Sequence, residues 1–298
     1  GAMQDLGTLG GGFSWASHVN GVGQVAGYSS TPGNAAFHAF IYGNGVMQDL
    51  GTLGGRSSQV AGLNDSGQVA GTSDAPGDLY RAFLYKNGVM QDLGTLGGAT
   101  SQAVGINAAG QVVGQSAMPG DSEFHAFLYD GSAMQDLGTL GGAGSWASGI
   151  NDAGQVVGYS LTDSSIYHAY FYSGGVMTDI GTLGGSRSWA SGVNGRGQVI
   201  GRSEVVGDAA EHWFLFDGGV MEDVNALLPG YDSIEDLFIN DAGQLAGTGR
   251  IGSLYRAFLL TPDAPSGSGS AVPEPANLAL LGLSMAALVR SRRERRQA

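Results

Sequence analysis

The nine residues MQDLGTLGG stand at 3–11 and return almost unchanged at 47–55, 90–98 and 134–142, with weaker copies from Met177 and Met221. Self-similarity at a fixed period constrains the fold more than composition does, because it means one supersecondary unit written again and again. The aspartate of the motif recurs as Asp5, Asp49, Asp92, Asp136, Asp179 and Asp223, in steps of 44, 43, 44, 43 and 44 residues. An asparagine keeps pace as Asn20, Asn64, Asn107, Asn151, Asn194 and Asn240. A third mark is His-Ala-Phe or a relative of it, at 38–40, 81–83, 125–127, 168–170, 212–214 and 256–258. The chain therefore holds six units.

Each unit reads as four short strands. In the fourth, SWASGIN (145–151) ends in a turn, QVVGYS (155–160) follows, HAYFY (168–172) comes after a longer loop, and VMTDIGTL (176–183) closes the unit. Asn-Asp-x-Gly and Gly-Gly between apolar runs are hairpin turns, where Gly or Asn supplies positive φ at little cost. No segment before residue 270 sustains a 3.6-residue apolar period, so no helix is expected there. Four strands in about 43 residues is the size of a β-propeller blade, with a solenoid as the rival architecture.

The ends of the array favour the propeller. Residues 2–9 are a fourth strand with no first three before it, and the last unit has three strands (234–240, 244–249, 255–260) but no fourth. The expectation is an all-β, six-bladed β-propeller over residues 1–260. Residues 3–11 would close the ring against residues 255–260 as the outermost strand of the last blade. A fragment of a larger ring is the alternative. Phe40, Phe83, Phe127, Tyr170, Phe214 and Phe258 recur at one position and are expected to fill the space between blades.

Formal net charge is −13, and five of the 13 basic residues are Arg290, Arg292, Arg293, Arg295 and Arg296. The repeat region is thus more acidic than the total implies, which argues against nucleic acid as a partner. There is no cysteine, hence no disulfide, zinc-thiolate or thiol nucleophile. The displayed start shows no signal peptide and is read as trimmed.

The C-terminus is of another kind. A Ser/Gly-rich linker (261–271) leads to Val272-Pro273-Glu274-Pro275, a largely apolar run over 276–289, and the arginine cluster. As a helix, 276–289 would span about 21 Å against the roughly 30 Å hydrocarbon core of a bilayer. The arginines favour a short membrane helix over a buried or interfacial one.

This order of Pro-Glu-Pro, apolar run and Arg cluster closely resembles the PEP-CTERM sorting signal of Gram-negative bacteria. The resemblance implies residues 272–298 as the signal, with Pro273, Glu274 and Pro275 as the recognition motif. It also implies processing by an exosortase, a transient inner-membrane anchor, and export to the cell surface or the exopolysaccharide matrix. The repeats resemble the extracellular repeat family named for the His-Ala-Phe tripeptide. Arg81 and Arg256 depart from it at the His position, and Trp213 at the Ala position. That family implies fold and location, with no assigned reaction.

Candidate chemistry is sparse. One aspartate and one His or Arg per unit point to turn and capping roles, since symmetry holds the copies apart. The Asn-Asp-x-Gly turns lack the distal Glu and dense oxygen ligands of a calcium loop, and no metal or cofactor is expected.

Five residues before each marker Asn the residue varies: Trp15, Gln59, Gln102, Trp146, Trp189 and Glu235. If the first strands line a central channel, these six ring one mouth. Indoles beside amides suit sugar rings, by stacking and hydroxyl recognition. The alternative is that the indoles wedge between blades.

The leading expectation is an exported, non-enzymatic propeller that binds polysaccharide or another extracellular ligand, such as a surface protein. A self-assembling matrix protein is the second reading. A glycan-cleaving enzyme using Glu123, Glu211 or Glu235 is the third, and it needs two carboxylates within mutual reach.

Overall fold

The computed structural model describes residues 3–262. The linker from residue 263, the Pro-Glu-Pro motif and the apolar run lie outside the described residues. Among the described residues no helix is long and apolar enough to cross a membrane.

Six antiparallel sheets follow one another along the chain. Blade 1 is β1 (Ser14–Val19), β2 (Val25–Ser30), β3 (Phe37–Gly43) and β4 (Val46–Asp49). Blade 2 is β5 (Ser58–Leu63), β6 (Val69–Ala75), β7 (Leu79–Lys86) and β8 (Val89–Asp92). Blade 3 is β9 (Ser101–Ile106), β10 (Val112–Ala117), β11 (Phe124–Tyr129) and β12 (Met134–Asp136). Blade 4 is β13 (Gly141–Ile150), β14 (Val156–Thr162), β15 (Tyr167–Ser173) and β16 (Val176–Asp179). Blade 5 is β17 (Gly184–Val193), β18 (Val199–Val205), β19 (Glu211–Asp217) and β20 (Val220–Asp223). Blade 6 has three strands among the described residues, β21 (Ser233–Ile239), β22 (Leu245–Ile251) and β23 (Leu254–Leu260).

The sheets stack through two different faces. The leading face of each blade carries the Ala of the tripeptide and small residues of the second strand. The trailing face of the next blade carries the tripeptide's aromatic. Between blades 1 and 2, Ala26, Ala39, Ile41 and Leu50 meet Val69, Phe83 and Tyr85. Ala70, Ala82 and Leu84 meet Phe127 and Tyr129 at the next seam, and Val113, Ala126 and Leu128 meet Tyr170 after that. The expectation that the recurrent aromatic fills the seams holds at these positions, each worth about 1.5–3 kcal/mol in buried apolar surface. Close approach also needs glycine: a Cβ on Gly62 would stand 2.8 Å from Ile106 Cγ2 of the next blade.

Polar side chains knit the seams. Ser58 accepts from Ala39 N (2.9 Å) and donates to Gly51 O (2.6 Å), tying the first strand of one blade to the blade before. Ser101, Ser145 and Ser188 repeat the arrangement. At the turn after each first strand, the marker Asn donates to the carbonyl of the next marker Asn: Asn20 to Asn64 (3.0 Å), then on through Asn107, Asn151 and Asn194 to Asn240. Buried polar groups satisfied in this way fix how one blade sits on the next. The turn motif follows the same economy. Asp49 accepts from Gly51 N at 2.7 Å, and Thr52 Oγ1 donates to Gly55 O at 2.9 Å. The fourth strands are therefore shorter than expected, because the GTLGG half of the motif is turn.

Two features differ from expectation. A short helix, α1 (Val224–Leu227), follows blade 5, capped by Asp223. Here DVNALLPGYDS replaces the usual glycine turn, and Asn225 Oδ1 takes Trp213 N in place of the seam serine. Residues 3–8 form no strand, and no ladder pairs them with β23. They lie instead over the trailing face of blade 1, as β4 lies over blade 2. Gln4 donates to Tyr42 Oη (2.6 Å) as Gln48 does to Tyr85 Oη, and Leu9 N donates to Ser29 Oγ as Leu53 N does to Ser73 Oγ. Phe40 and Tyr42 are buried beneath this segment. Among the described residues nothing covers the far face of blade 6: Phe238 is 66% exposed and Leu259 62%.

Candidate functional site

The variable position sits where the first strand crosses the second beside a β-bulge. In blade 3 the ladder shifts at Val113/Gly114, and the Gln102 carbonyl leans onto Gly114 so closely that no Cβ could stand there. Gly27, Gly71, Gly158 and Gly201 face the carbonyls of Trp15, Gln59, Trp146 and Trp189 in the same way. The bulge re-aims the strand at that residue, as bulges next to functional sites commonly do.

In the sixth unit the bulge falls one residue differently. Asp236 pairs with Thr248, as Trp189 pairs with Arg202, and Gly247 faces the Asp236 carbonyl. Counting back from Asn240 therefore lands on Glu235, whereas Asp236 is the structural equivalent. Asp236 accepts from Thr248 N at 2.6 Å, and the Glu235 carboxylate accepts from Ser233 Oγ at 2.7 Å.

The six expected positions do not share one cavity. Trp15, Gln59, Gln102, Trp146 and Trp189 each stand opposite the second strand of their own blade, and Glu235 is the unpaired residue at the bulge of blade 6. Trp15 stacks on Tyr28 (centroids 5.1 Å apart) and Phe13 (5.8 Å), with Phe37 tilted beside it. Trp15 is 45% exposed and Phe13 52%, so part of this aromatic cluster is open to solvent. Trp146 is half-buried on Tyr159 and Tyr167. Gln59 and Gln102 come together: with Thr72, Asp74 and Tyr80 they line a polar cleft of about 320 Å³ between blades 2 and 3. Within blade 3, Gln115 Nε2 donates to Gln102 Oε1 across the strand pair, at 2.8 Å.

Trp189 lines a different cleft, of about 220 Å³, with Ser191, Arg202, Glu211 and Trp213. Arg202 stands between the two indoles across three strands, since Trp189 pairs with Arg202 and Arg202 with Trp213. Its guanidinium lies 4.8 Å from the Trp213 ring centre. It donates to Glu211 Oε1 (2.8 Å) and to the Glu235 carbonyl of blade 6 (2.7 Å). Glu123 belongs to blade 3, where its carbonyl closes a turn with Met118 N.

The four repeated histidines are structural partners of the aspartates. His38 Nδ1 lies 3.0 Å from the Asp49 carboxylate, and His168–Asp179 and His212–Asp223 repeat the pair. Arg81 replaces His against Asp92 at 4.0 Å. No group of three or more metal-ligating side chains occurs among the described residues. The shared polarity of His and Arg at one position was the available sign of this pairing, and the serine before each variable residue was the sign of the seam bridge.

Comparison with protein-family models and with curated proteins gives no match. Among solved structures, the β-propeller domain of the Trilobed protease from Pyrococcus furiosus, which has an open velcro topology, is similar over 84% of this chain and 83% of its own. The identity is 11% and the TM-score 0.53. The acylaminoacyl peptidase of Pyrococcus horikoshii matches 83% of this chain at 9% identity and TM-score 0.51, and 45% of that chain is covered. A putative TolB from Agrobacterium tumefaciens matches 72% of this chain and 80% of its own, at 12% identity and TM-score 0.47. Identities this low carry the fold alone: the chain is a β-propeller.

Proposed function

We propose that this chain is an exported propeller of the cell surface or extracellular matrix that binds polysaccharide through the leading edges of its blades. The observation behind this reading is the exposed Phe13–Trp15 stack, backed by Tyr28 and Phe37. Exposed aromatic surface held rigid by its neighbours suits the C–H faces of sugar rings. The cleft holding Gln59 and Gln102 adds amide donors and acceptors for hydroxyls one seam away. The role is binding without catalysis. Export and sorting rest on the resemblance of residues 272–298 to an exosortase signal, with Pro273, Glu274 and Pro275 read by the sorting enzyme and the membrane engaged before processing.

Titration calorimetry against a panel of neutral and acidic polysaccharides tests the binding. Saturable heat that falls about tenfold in affinity with Trp15→Ala is the expected result. Silence across the panel removes the reading. Substituting Ala for Pro273, Glu274 and Pro275 should leave the protein unsorted in the membrane fraction of an exosortase-bearing host.

Ring closure belongs to the same proposal. Residues 3–9 would serve as the outer strand of blade 6, covering Leu259. In the alternative, a self-assembling matrix protein, the bare face of blade 6 at Phe238, Tyr255 and Leu259 meets another protein instead.

A further inference from the structure

The seam between blades 5 and 6 departs from the other four in three ways that meet at one place. Trp213 stands where blades 1, 2, 3 and 4 carry Ala39, Ala82, Ala126 and Ala169. Arg202 stands where they carry Tyr28, Thr72, Gln115 and Tyr159. The glycine turn is replaced by α1, and Asn225 holds the Trp213 backbone. Trp213 is only 8% exposed, and its Nε1 donates to the Ile234 carbonyl at 3.0 Å, so this indole is a fixed wall.

We infer that this cleft is a subsite for one neutral sugar residue bearing adjacent hydroxyls. The inference rests on the polysaccharide-binding reading and names the chemistry of one site within it. The volume, about 220 Å³, falls below the roughly 300–1,000 Å³ usual for drug-sized ligands and suits a single ring. The Trp189 indole supplies stacking surface, and the buried Trp213 ring forms the wall behind Arg202. Arg202 has five N–H groups and commits two bonds, to Glu211 Oε1 and the Glu235 carbonyl. Glu211 Oε2 accepts no bond among the described residues. A guanidinium edge beside a free carboxylate oxygen offers donors and an acceptor side by side. Adjacent hydroxyls answer that pattern, because each can accept from Arg202 or donate to Glu211.

Other ligand classes fit worse. A cation would meet Arg202. An anion would meet Glu211 and an acidic domain. A purely apolar ligand would leave the fork and the carboxylate desolvated without partners.

The test uses the folded full chain, with neutral manno-, galacto-, gluco- and xylo-oligosaccharides and oligogalacturonate as probes. Indole fluorescence and calorimetry follow binding, and thermal melts confirm that each variant is folded. A neutral oligosaccharide should bind, and Arg202→Met and Glu211→Gln should each weaken it about tenfold or more, as the loss of a charge-assisted bond predicts. Trp189→Ala should weaken it as well, and Trp213→Phe keeps a ring there should Trp213→Ala fail to fold. Binding of a neutral probe unmoved by Arg202→Met and Glu211→Gln overturns this subsite and leaves the polysaccharide reading standing. Binding of oligogalacturonate alone, strengthened by Glu211→Gln, overturns the neutral assignment. No binding of any probe overturns both.

Discussion

His125 Nδ1 lies 2.9 Å from the Asp136 carboxylate, one strand outward in the same blade. Every blade that has a fourth strand pairs a His or Arg of the third strand with the aspartate of the fourth, with Arg81–Asp92 the variant form. Two residues hold half of such a pair. Arg256 stands on β23 at the His/Arg position, and Asp5 stands at the aspartate position of residues 3–9, where it caps Gly7 N at 2.9 Å. The Asn chain stops in the same gap, since Asn240 Nδ2 donates to Gln244 Oε1 and to no further marker carbonyl among the described residues.

The complementary halves make closure a measurable proposal. In blade 2, Leu84 stands opposite Gln91. The matching residues at the proposed closure are Leu259 and Gln4. The chain has no cysteine, so Gln4→Cys with Leu259→Cys is a clean reporter. Under mild oxidant, closure predicts a disulfide within one chain, seen as a faster-migrating monomer on a non-reducing gel, because bridging needs Cα atoms within about 7 Å. A product that is wholly dimeric shows that β23 meets another molecule and favours the assembly reading.

Tyr170 is fully buried at the position where the other five units carry Phe, and its hydroxyl has no partner among the described residues. Burial pushes its phenol far above the ordinary range, so it stays neutral. An unpartnered buried hydroxyl costs about 1–3 kcal/mol. Tyr170→Phe should therefore raise stability by about 1 kcal/mol, read as a higher urea midpoint at unchanged slope. A lower midpoint would mean that the hydroxyl is satisfied.

Asn107 holds three bonds at once, donating to the Asn151 carbonyl and Gln111 Oε1 and accepting from Gln111 N. Asn107→Ala strands buried groups on two blades and should cost about 2–4 kcal/mol. Asn107→Asp should cost more, because it sets a carboxylate oxygen against the Asn151 carbonyl. Equal midpoints for wild type and Asn107→Ala in urea would show that the inter-blade ladder carries no stability.

Blade count, strand order and the seam aromatics were legible in the sequence because each is a periodic demand on residue type. An outer strand needs its Met-Gln-Asp, a hairpin its Asn and Gly, a seam its Phe beside Ala. The variable position was legible as variation, and its grouping was not. Gln59 and Gln102 share a cleft because one blade's leading face opens onto the next blade's first strand, a relation between seams that spacing alone does not encode. Glu235 was misplaced by one residue because a bulge shifts register without changing the spacing of the marks around it. Arg202 and Glu211 went unread as a pair because they meet across adjacent strands, a contact that no repeated mark in the sequence signals.

His18 replaces the seam glycine found at Gly62, Gly105, Gly149 and Gly192, and it points toward blade 2. Burial lowers its pKa below 6.5, only partly opposed by a hydrogen bond with the Ala61 backbone. The folded chain thus binds this proton less readily than the unfolded chain does. Well above pH 6.5 the imidazole is neutral in both states and nothing is lost. As pH falls below 6.5, the unfolded chain takes up the proton first and stability drops, until the pH passes the lowered folded value and the loss levels off. His18→Gln should flatten that part of the stability profile between pH 7.5 and 5, measured as urea midpoints against wild type. The other histidines are common to both proteins, so the difference curve isolates this residue. A difference curve without slope below pH 6.5 would place His18 in solvent, with its ordinary titration.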